Sequence, residues 1–144
     1  KLADIAAALL IEMLPRIFAG EITPQPQDHA RTTLAPMIKK EDGLIDWTAS
    51  AGEIARRVRA FNPWPSAFTF WNGAQLKLLR AEATSSKSDA EAGRVVKLNQ
   101  EIGVAAGEGT LILREVQLAG KRAMGAGEFM RGQRGFIGAV LEKA

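Results

Sequence analysis

Phe61-Asn62-Pro63-Trp64-Pro65-Ser66-Ala67-Phe68 constrains the fold more than any other stretch of this chain. A helical pattern runs into it and an extended pattern runs out. The helix must end here, because Pro63 has no backbone N–H to continue it. Asn62 suits a left-handed residue just past the helix end. Trp64 is held between two prolines and is expected to plug the core under the helix–strand corner.

The residues on either side follow from that corner. Ser50, with Glu53 three residues on, reads as a capping box. The helix it opens has Ile54, Val58 and Phe61 as its core face, with Arg56 and Arg59 pointing the other way. Arg57 lies to one side and can pair with Glu53 one turn earlier. Upstream, Lys39-Lys40-Glu41-Asp42-Gly43 is a charged turn, and Leu44–Trp47 a short strand with Ile45 and Trp47 on one side. Downstream, Ala67–Trp71 and Ala74–Ala83 flank Asn72-Gly73, a strong hairpin signal. There Leu76 and Leu78 alternate with Lys77 and Leu79. A polar loop, 84–92, precedes strands at Gly93–Leu98, Ile102–Ala106 and Thr110–Leu118. Gly127–Arg134 reads as a short helix with Phe129 and Met130 inward. The pattern leaves open whether Phe136–Leu141 closes a sheet edge or trails away. About five or six short antiparallel strands with glycine turns predict a small closed barrel of oligonucleotide-binding (OB) type. The fold class is thus mainly β with flanking helices.

The start of the chain is different. Leu2, Ile5, Leu9, Met13 and Ile17 recur at helical spacing. Leu10 and Leu14 widen that face, and Ile11 and Phe18 add a second stripe. Pro15 is expected to kink or restart this helix, and Gly20 to cap it. A helix apolar most of the way round needs a partner surface. It is expected to pack on another domain, and alone to dimerise or lie on the barrel. Asp4, Glu12, Pro15 and Arg16 break the apolar run, so it is no membrane span. The chain opens at Lys1, without Met and with a helix under way, which predicts a longer natural sequence. Residues 1–20, 21–38 and 39–144 then read as terminal helix, linker and barrel domain. Thr23-Pro24-Gln25-Pro26-Gln27 is an extended spacer.

Charge and composition limit the chemistry. The 144 residues carry a net charge of +3, with 47% hydrophobic and 24% charged residues and no cysteine. This is a globular composition without disulfides or thiolate ligands. His29 is the single histidine; it lies among polar linker residues and has no orienting partner in the pattern, so no metal site is expected. The segment 1–38 holds 3 basic and 4 acidic residues, so the positive excess lies after it. Gly125-Ala126-Gly127 lacks the third glycine of a dinucleotide fingerprint and follows a loop. Asp42 and Asp46 sit in an exposed turn and strand beside lysines, with nothing apolar to raise one pKa for acid–base work. No catalytic constellation is found.

Several motifs in order resemble the C-terminal domain of methionyl-tRNA formyltransferases. They are the 23–27 spacer, Lys40 to Trp47, Arg59-Ala60 with Phe61 to Pro65, Gln75-Leu76-Lys77, Val116 to Met124, and Phe129-Met130-Arg131-Gly132. The resemblance implies an N-terminal Rossmann-like domain, absent here, that carries the catalytic Asn, His and Asp; residues 2–19 look like its last helix. It implies a cytoplasmic parent enzyme that formylates the methionine of initiator Met-tRNA with 10-formyltetrahydrofolate as donor. This chain, without cofactor or catalytic residues of its own, would hold the tRNA. Lys39 and Lys40, near the linker, are then the first phosphate contacts, with Arg56, Arg59, Lys77, Lys121 and Arg122 as further candidates. Trp47, Phe61, Asn62, Pro63 and Trp64 are assigned to structure. Met37 stands where many members carry lysine, and the tail from Gly135 does not match the family's usual ending. A second reading is the barrel of a formyltransferase acting on a sugar nucleotide or another amine, with a structural role. A free-standing single-strand binder fits less well, because aromatics are only 6% of residues and cluster at the corner.

Overall fold

The structure, a computed structural model, describes residues 1–86 and 88–142. Lys87 of the polar loop and residues 143–144 of the barrel domain lie outside the described residues. The chain forms two compact units, residues 1–36 and 37–144.

In the first unit, helix α1 (Leu2–Phe18) runs through Pro15 without restarting and buries none of its residues. Its end is a Schellman motif: Gly20 N donates to Ile17 O and Glu21 N to Arg16 O. Gly20 supplies the left-handed residue, with φ +72°. Among the described residues no helix is long and apolar enough to cross a membrane.

The second unit is an antiparallel sheet curled around one core. Strands β1 (Ala67–Trp71) and β2 (Ala74–Thr84) form the expected hairpin, with both Asn72 and Gly73 at positive φ. Strands β3 (Val95–Leu98), β4 (Glu101–Ala105) and β5 (Thr110–Leu118) complete the order β1-β2-β5-β4-β3. A two-residue strand, β6 (Met124–Gly125), not expected from the sequence, pairs with the later half of β5. β2 carries a bulge between Leu78 and Ala81. The two register shifts on either side of Arg80 cancel, and the inward positions pass from Leu76 and Leu78 to Ala81, so the alternation does not run through the strand.

The ladder of named strands does not close on itself. The tail stands in the gap. Val95 N donates to Ala139 O, Gly138 N to Val95 O and Leu141 N to Gly93 O on one side. On the other, Phe70 and Glu142 exchange both backbone hydrogen bonds. One short segment thus satisfies the free edges of β1 and β3. Phe136, fully buried, ends up edge-on to Trp71 and Phe129, with ring centroids 5.3 and 4.9 Å apart. Phe129 comes from helix α3 (Ala126–Gly132).

Helix α2 (Ala51–Ala60) packs on β2 and β5 through Ile54, Ala55 and Val58. The Ser50 hydroxyl accepts from Glu53 N at 3.2 Å. Three expectations fail around this helix. Arg57 donates to the Asp42 carbonyl and lies over the Phe61 ring, rather than pairing with Glu53. Leu44–Trp47 forms a single bridge to Phe68 after a 3₁₀ turn at Lys40–Gly43, because the Asp46 carboxylate caps Thr48 and ends the extension. Trp64 does not plug the core: it is 60% exposed, and Pro65 is buried instead.

The cause of that last difference is the loop's own bonding. Ser66 N donates to Phe61 O and Ser66 Oγ to Pro63 O, both at 2.8 Å. That closure turns Pro65 inward and Trp64 outward. The left-handed residue is Ser66, with φ +70°, and not Asn62. The peptide bonds before Pro63 and Pro65 are both cis. Gly43 belongs to the same corner, since a Cβ there would sit 2.2 Å from Ser66 O.

A buried polar chain joins three parts of the fold. Trp47 Nε1 donates to Thr69 Oγ1 at 3.2 Å, and Thr69 Oγ1 donates to Glu142 O at 2.9 Å. Thr69→Val keeps the shape but leaves the buried Trp47 N–H unpaired and Glu142 O with Phe70 N as its remaining donor, which costs about 1–3 kcal/mol. Urea unfolding should show this as a lower midpoint at unchanged slope. An unchanged midpoint would mean the chain of bonds contributes nothing.

Candidate nucleic-acid interface

Strand alternation decides which side chains face outward. Leu76 and Leu78 of β2 are buried, so Gln75 and Lys77 face out. In register beside them stand Phe70 and Phe68 of β1, and Gln117 of β5 opposite Lys77. Lys40, Glu41, Leu44, Phe68, Phe70 and Gln75 line one open hollow. Gln75, Lys77, Gln117, Leu118, Ala119 and Gly120 line a second. Gln75 borders both, so the two form one shallow groove across β1, β2 and β5.

The turn after β5 is fixed against this groove. Gln117 Nε2 donates to Lys121 O at 3.0 Å, and Ala119 N to Gln75 O at 2.8 Å. The backbone of Lys121 is thereby held at the β5 end of the second hollow, next to Gly120 in its lining. Lys39 precedes Lys40, and its backbone N–H donates to Asp42 Oδ2 at 2.7 Å, setting the 3₁₀ turn. Of the seven sequence candidates, Lys40 and Lys77 line these hollows, while Lys39 and Lys121 are their neighbours only through the backbone bonds of the adjoining turns.

The other three stand differently. Arg56 and Arg59 are on the exposed side of α2 and line neither hollow. Arg59 folds back onto its own helix, donating to Ala55 O at 3.2 Å. Arg122 pairs with Glu128 at 2.5 Å, so its charge is largely offset. Phe70 and Gln117, which are not among the sequence candidates, also belong to this surface. The alternation of β2, carried across the hairpin register, is the signal that points to them.

Two other arginines hold the sheet. Arg114 on β5 bridges Glu82 on β2 and Glu101 on β4. Arg94 pairs with Glu91 and donates to Gly138 O in the tail at 2.6 Å. Asp42 and Asp46 are occupied in turn capping. Among the described residues no group of acidic and histidine side chains is arranged to hold a metal ion.

These elements define a small barrel-like domain with Lys40 and Lys77 in the hollows of its outward face. The chain belongs to the formyl transferase C-terminal domain family, whose model matches residues 37–134. It is 44% identical over 135 residues to a methionyl-tRNA formyltransferase of Roseiflexus castenholzii, covering 93% of this chain and 43% of that protein. It is 45% identical over 131 residues to the methionyl-tRNA formyltransferase of Coxiella burnetii, covering 90% of this chain and 42% of that one. The chain thus spans less than half the length of these relatives. A crystal structure of HypX from Aquifex aeolicus in complex with tetrahydrofolic acid superposes with a TM-score of 0.57 at 17% identity. That match covers 90% of this chain and 23% of HypX, and shows the shared fold.

The Arg114 bracket has a pH signature. The hydrogen bond from Arg114, and then its charge, hold the Glu82 carboxyl below its ordinary value of 4.5. A carboxyl lowered on folding stabilises fully above its unfolded value and loses that contribution as the pH falls through the folded one. NMR titration should place Glu82 below 4.5, and Arg114→Gln should move it back up. A Glu82 value indifferent to that substitution would remove Arg114 as the cause.

Proposed function

We propose that this chain is the tRNA-holding part of a methionyl-tRNA formyltransferase. The parent enzyme transfers a formyl group from 10-formyltetrahydrofolate to the methionine amino group of initiator Met-tRNA in the cytoplasm. This chain contributes grip: Lys39, Lys40, Lys77 and Lys121 meet successive phosphates along one groove. Arg56 and Arg59 on α2 give outlying contacts, and Arg122 contributes least because Glu128 already holds it. The observation that carries this reading is the pair Lys40 and Lys77 in the hollows on the outward face of β1–β2–β5, in a chain more than 40% identical to proteins named for that activity.

Lysine suits this task. It is a point charge on a flexible stem that follows a phosphate without demanding one geometry. Such contacts fix affinity and position but read no base sequence. Selection of the initiator tRNA is therefore assigned to the rest of the parent. So is the folate donor, because the resemblance puts the catalytic Asn, His and Asp in the N-terminal domain and the single histidine here, His29, lies in the segment before the barrel. No formyl-transfer step is derived from this chain. The apolar face of α1, unburied here, is assigned to packing on the catalytic domain of the same protein. In the isolated chain that face is a candidate dimer contact.

Binding to tRNA should be weak, with Kd about 10⁻⁴ to 10⁻⁶ M, and should fall steeply with salt. Lys77→Ala, and Lys39→Ala with Lys40→Ala, should each flatten the log–log salt slope by about one for every phosphate left without its lysine. Glu128→Gln should release Arg122 and tighten binding. Binding that ignores salt, or slopes that ignore these lysines, would defeat the reading in favour of a purely structural barrel. With folate donor and charged tRNA the chain alone should give no formylated product.

A further inference from the structure

The hollow at the Lys40 end of the groove differs from the rest of it. Leu44, Phe68 and Phe70 form its floor, while Lys40, Glu41 and Gln75 stand at its rim. Plain phosphate tracking needs cations and amides but no apolar floor. The volume is about 260 Å³, just under the roughly 300–1,000 Å³ of pockets that take drug-sized ligands. That scale suits one flat ring system.

Phe70 is held firmly. Its backbone pairs with Gln75 on one side and Glu142 on the other, so its strand is fixed at both edges. Phe68 meets it edge-on, with centroids 5.8 Å apart and ring planes at 86°. Phe68 is itself buried under Gly43, where a Cβ would lie 3.1 Å from its ring. Phe70 stays only half-buried. The result is an aromatic ring whose orientation is already set, so stacking on it costs little further ordering. Lys40 at the rim and Lys77 one strand pair along can neutralise the phosphates on either side of whatever occupies the hollow. Glu41 at the same rim disfavours a second phosphate there.

We propose that this hollow receives one unpaired nucleotide of the bound RNA. Its base stacks on Phe70 beside Leu44, and its flanking phosphates lie on Lys40 and Lys77. The Gln75 amide meets the base edge, where it can both donate and accept and so tolerates more than one base. The inference rests on the RNA-holding function proposed above and adds to it a place where unpaired RNA is preferred to duplex. Charge complementarity decides the occupant: an apolar floor with lysines around it matches a base carried on a phosphate backbone.

The test compares a stem-loop RNA with a fully paired duplex of equal phosphate number, using the full chain and fluorescence anisotropy across a salt series. The wild type should favour the stem-loop. Phe70→Ala should weaken stem-loop binding by about ten-fold, within the ~5- to 150-fold that one base–aromatic stack is worth. It should leave duplex binding and both salt slopes unchanged, because every charge is kept. Phe70→Leu, which keeps an apolar side chain in the strand, should show the same selective weakening, and Phe70→Trp should restore preference. Equal weakening for both RNAs, or none, overturns the nucleotide site while the lysine strip stands on its salt slopes. RNA binding that does not respond to salt removes the proposed function and this site with it.

Discussion

The barrel depends on a hydroxyl group. Thr69 is fully buried on β1, and its side chain takes the indole N–H of Trp47 and gives its own proton to the carbonyl of Glu142. A buried hydroxyl with both roles filled specifies its neighbours more narrowly than apolar contact can. Here it ties together the segment before α2, the first strand and the last described residue. The tail's backbone then completes the edges of β1 and β3, and Phe136 and Leu141 enter the core. Without that anchor, two strand edges would face water with unpaired N–H and C=O groups.

Closure is also what makes the outward face usable. The Asn72-Gly73 turn fixes the register of β1 on β2, and the register places Phe68 and Phe70 beside Lys77 and Gln75. A one-residue slip would send these four inward and bring Leu76 and Leu78 out. The inner face is strongly apolar, with Leu76, Leu78, Val116 and Leu113 all buried, so a slip is prohibitively costly. Lys77 and Gln75 are therefore positioned by the core rather than by their own interactions. The bulge after Leu78 ends the regular face and bends β2 towards β5 and α2.

Much of this was legible in the residues. The hairpin, the Ser50 cap, the core face at Ile54 and Val58, and the short helix carrying Phe129 each have a local cause, and each lies where the pattern puts it. The family resemblance rests on motifs spread across the region that the family model matches. What escaped has non-local causes. The tail reads as a weak strand, and only the spacing of two distant edges shows that it fills a gap. Trp64 and Asn62 depart from expectation because the loop closes through Ser66, whose hydroxyl and N–H bond back to Pro63 and Phe61. Nothing in Phe-Asn-Pro-Trp-Pro distinguishes a tryptophan turned in from one turned out. For the candidate site, the charges were visible and their pairing was not. Arg122 and Lys121 are adjacent in sequence, yet Arg122 meets Glu128 while Lys121 stands by the groove.

That contrast follows a division of labour between the two cations. The ion pairs found among the described side chains use arginine: Arg16, Arg94, Arg114 and Arg122. Arg57 and Arg59 bond backbone carbonyls instead. A planar guanidinium with several donors can bridge two partners at once, as Arg114 does between Glu82 and Glu101 and Arg94 between Glu91 and the tail. An ammonium on a long stem makes weaker fixed contacts and keeps more freedom. Arginine therefore supplies the cross-strand ties of this scaffold, though Arg56, Arg80, Arg131 and Arg134 also stand exposed on its surface. The modest net charge of +3 is no measure of this. Among the carboxylates that lower it, Glu82, Glu91, Glu101 and Glu128 are each engaged with an arginine in or beside the sheet.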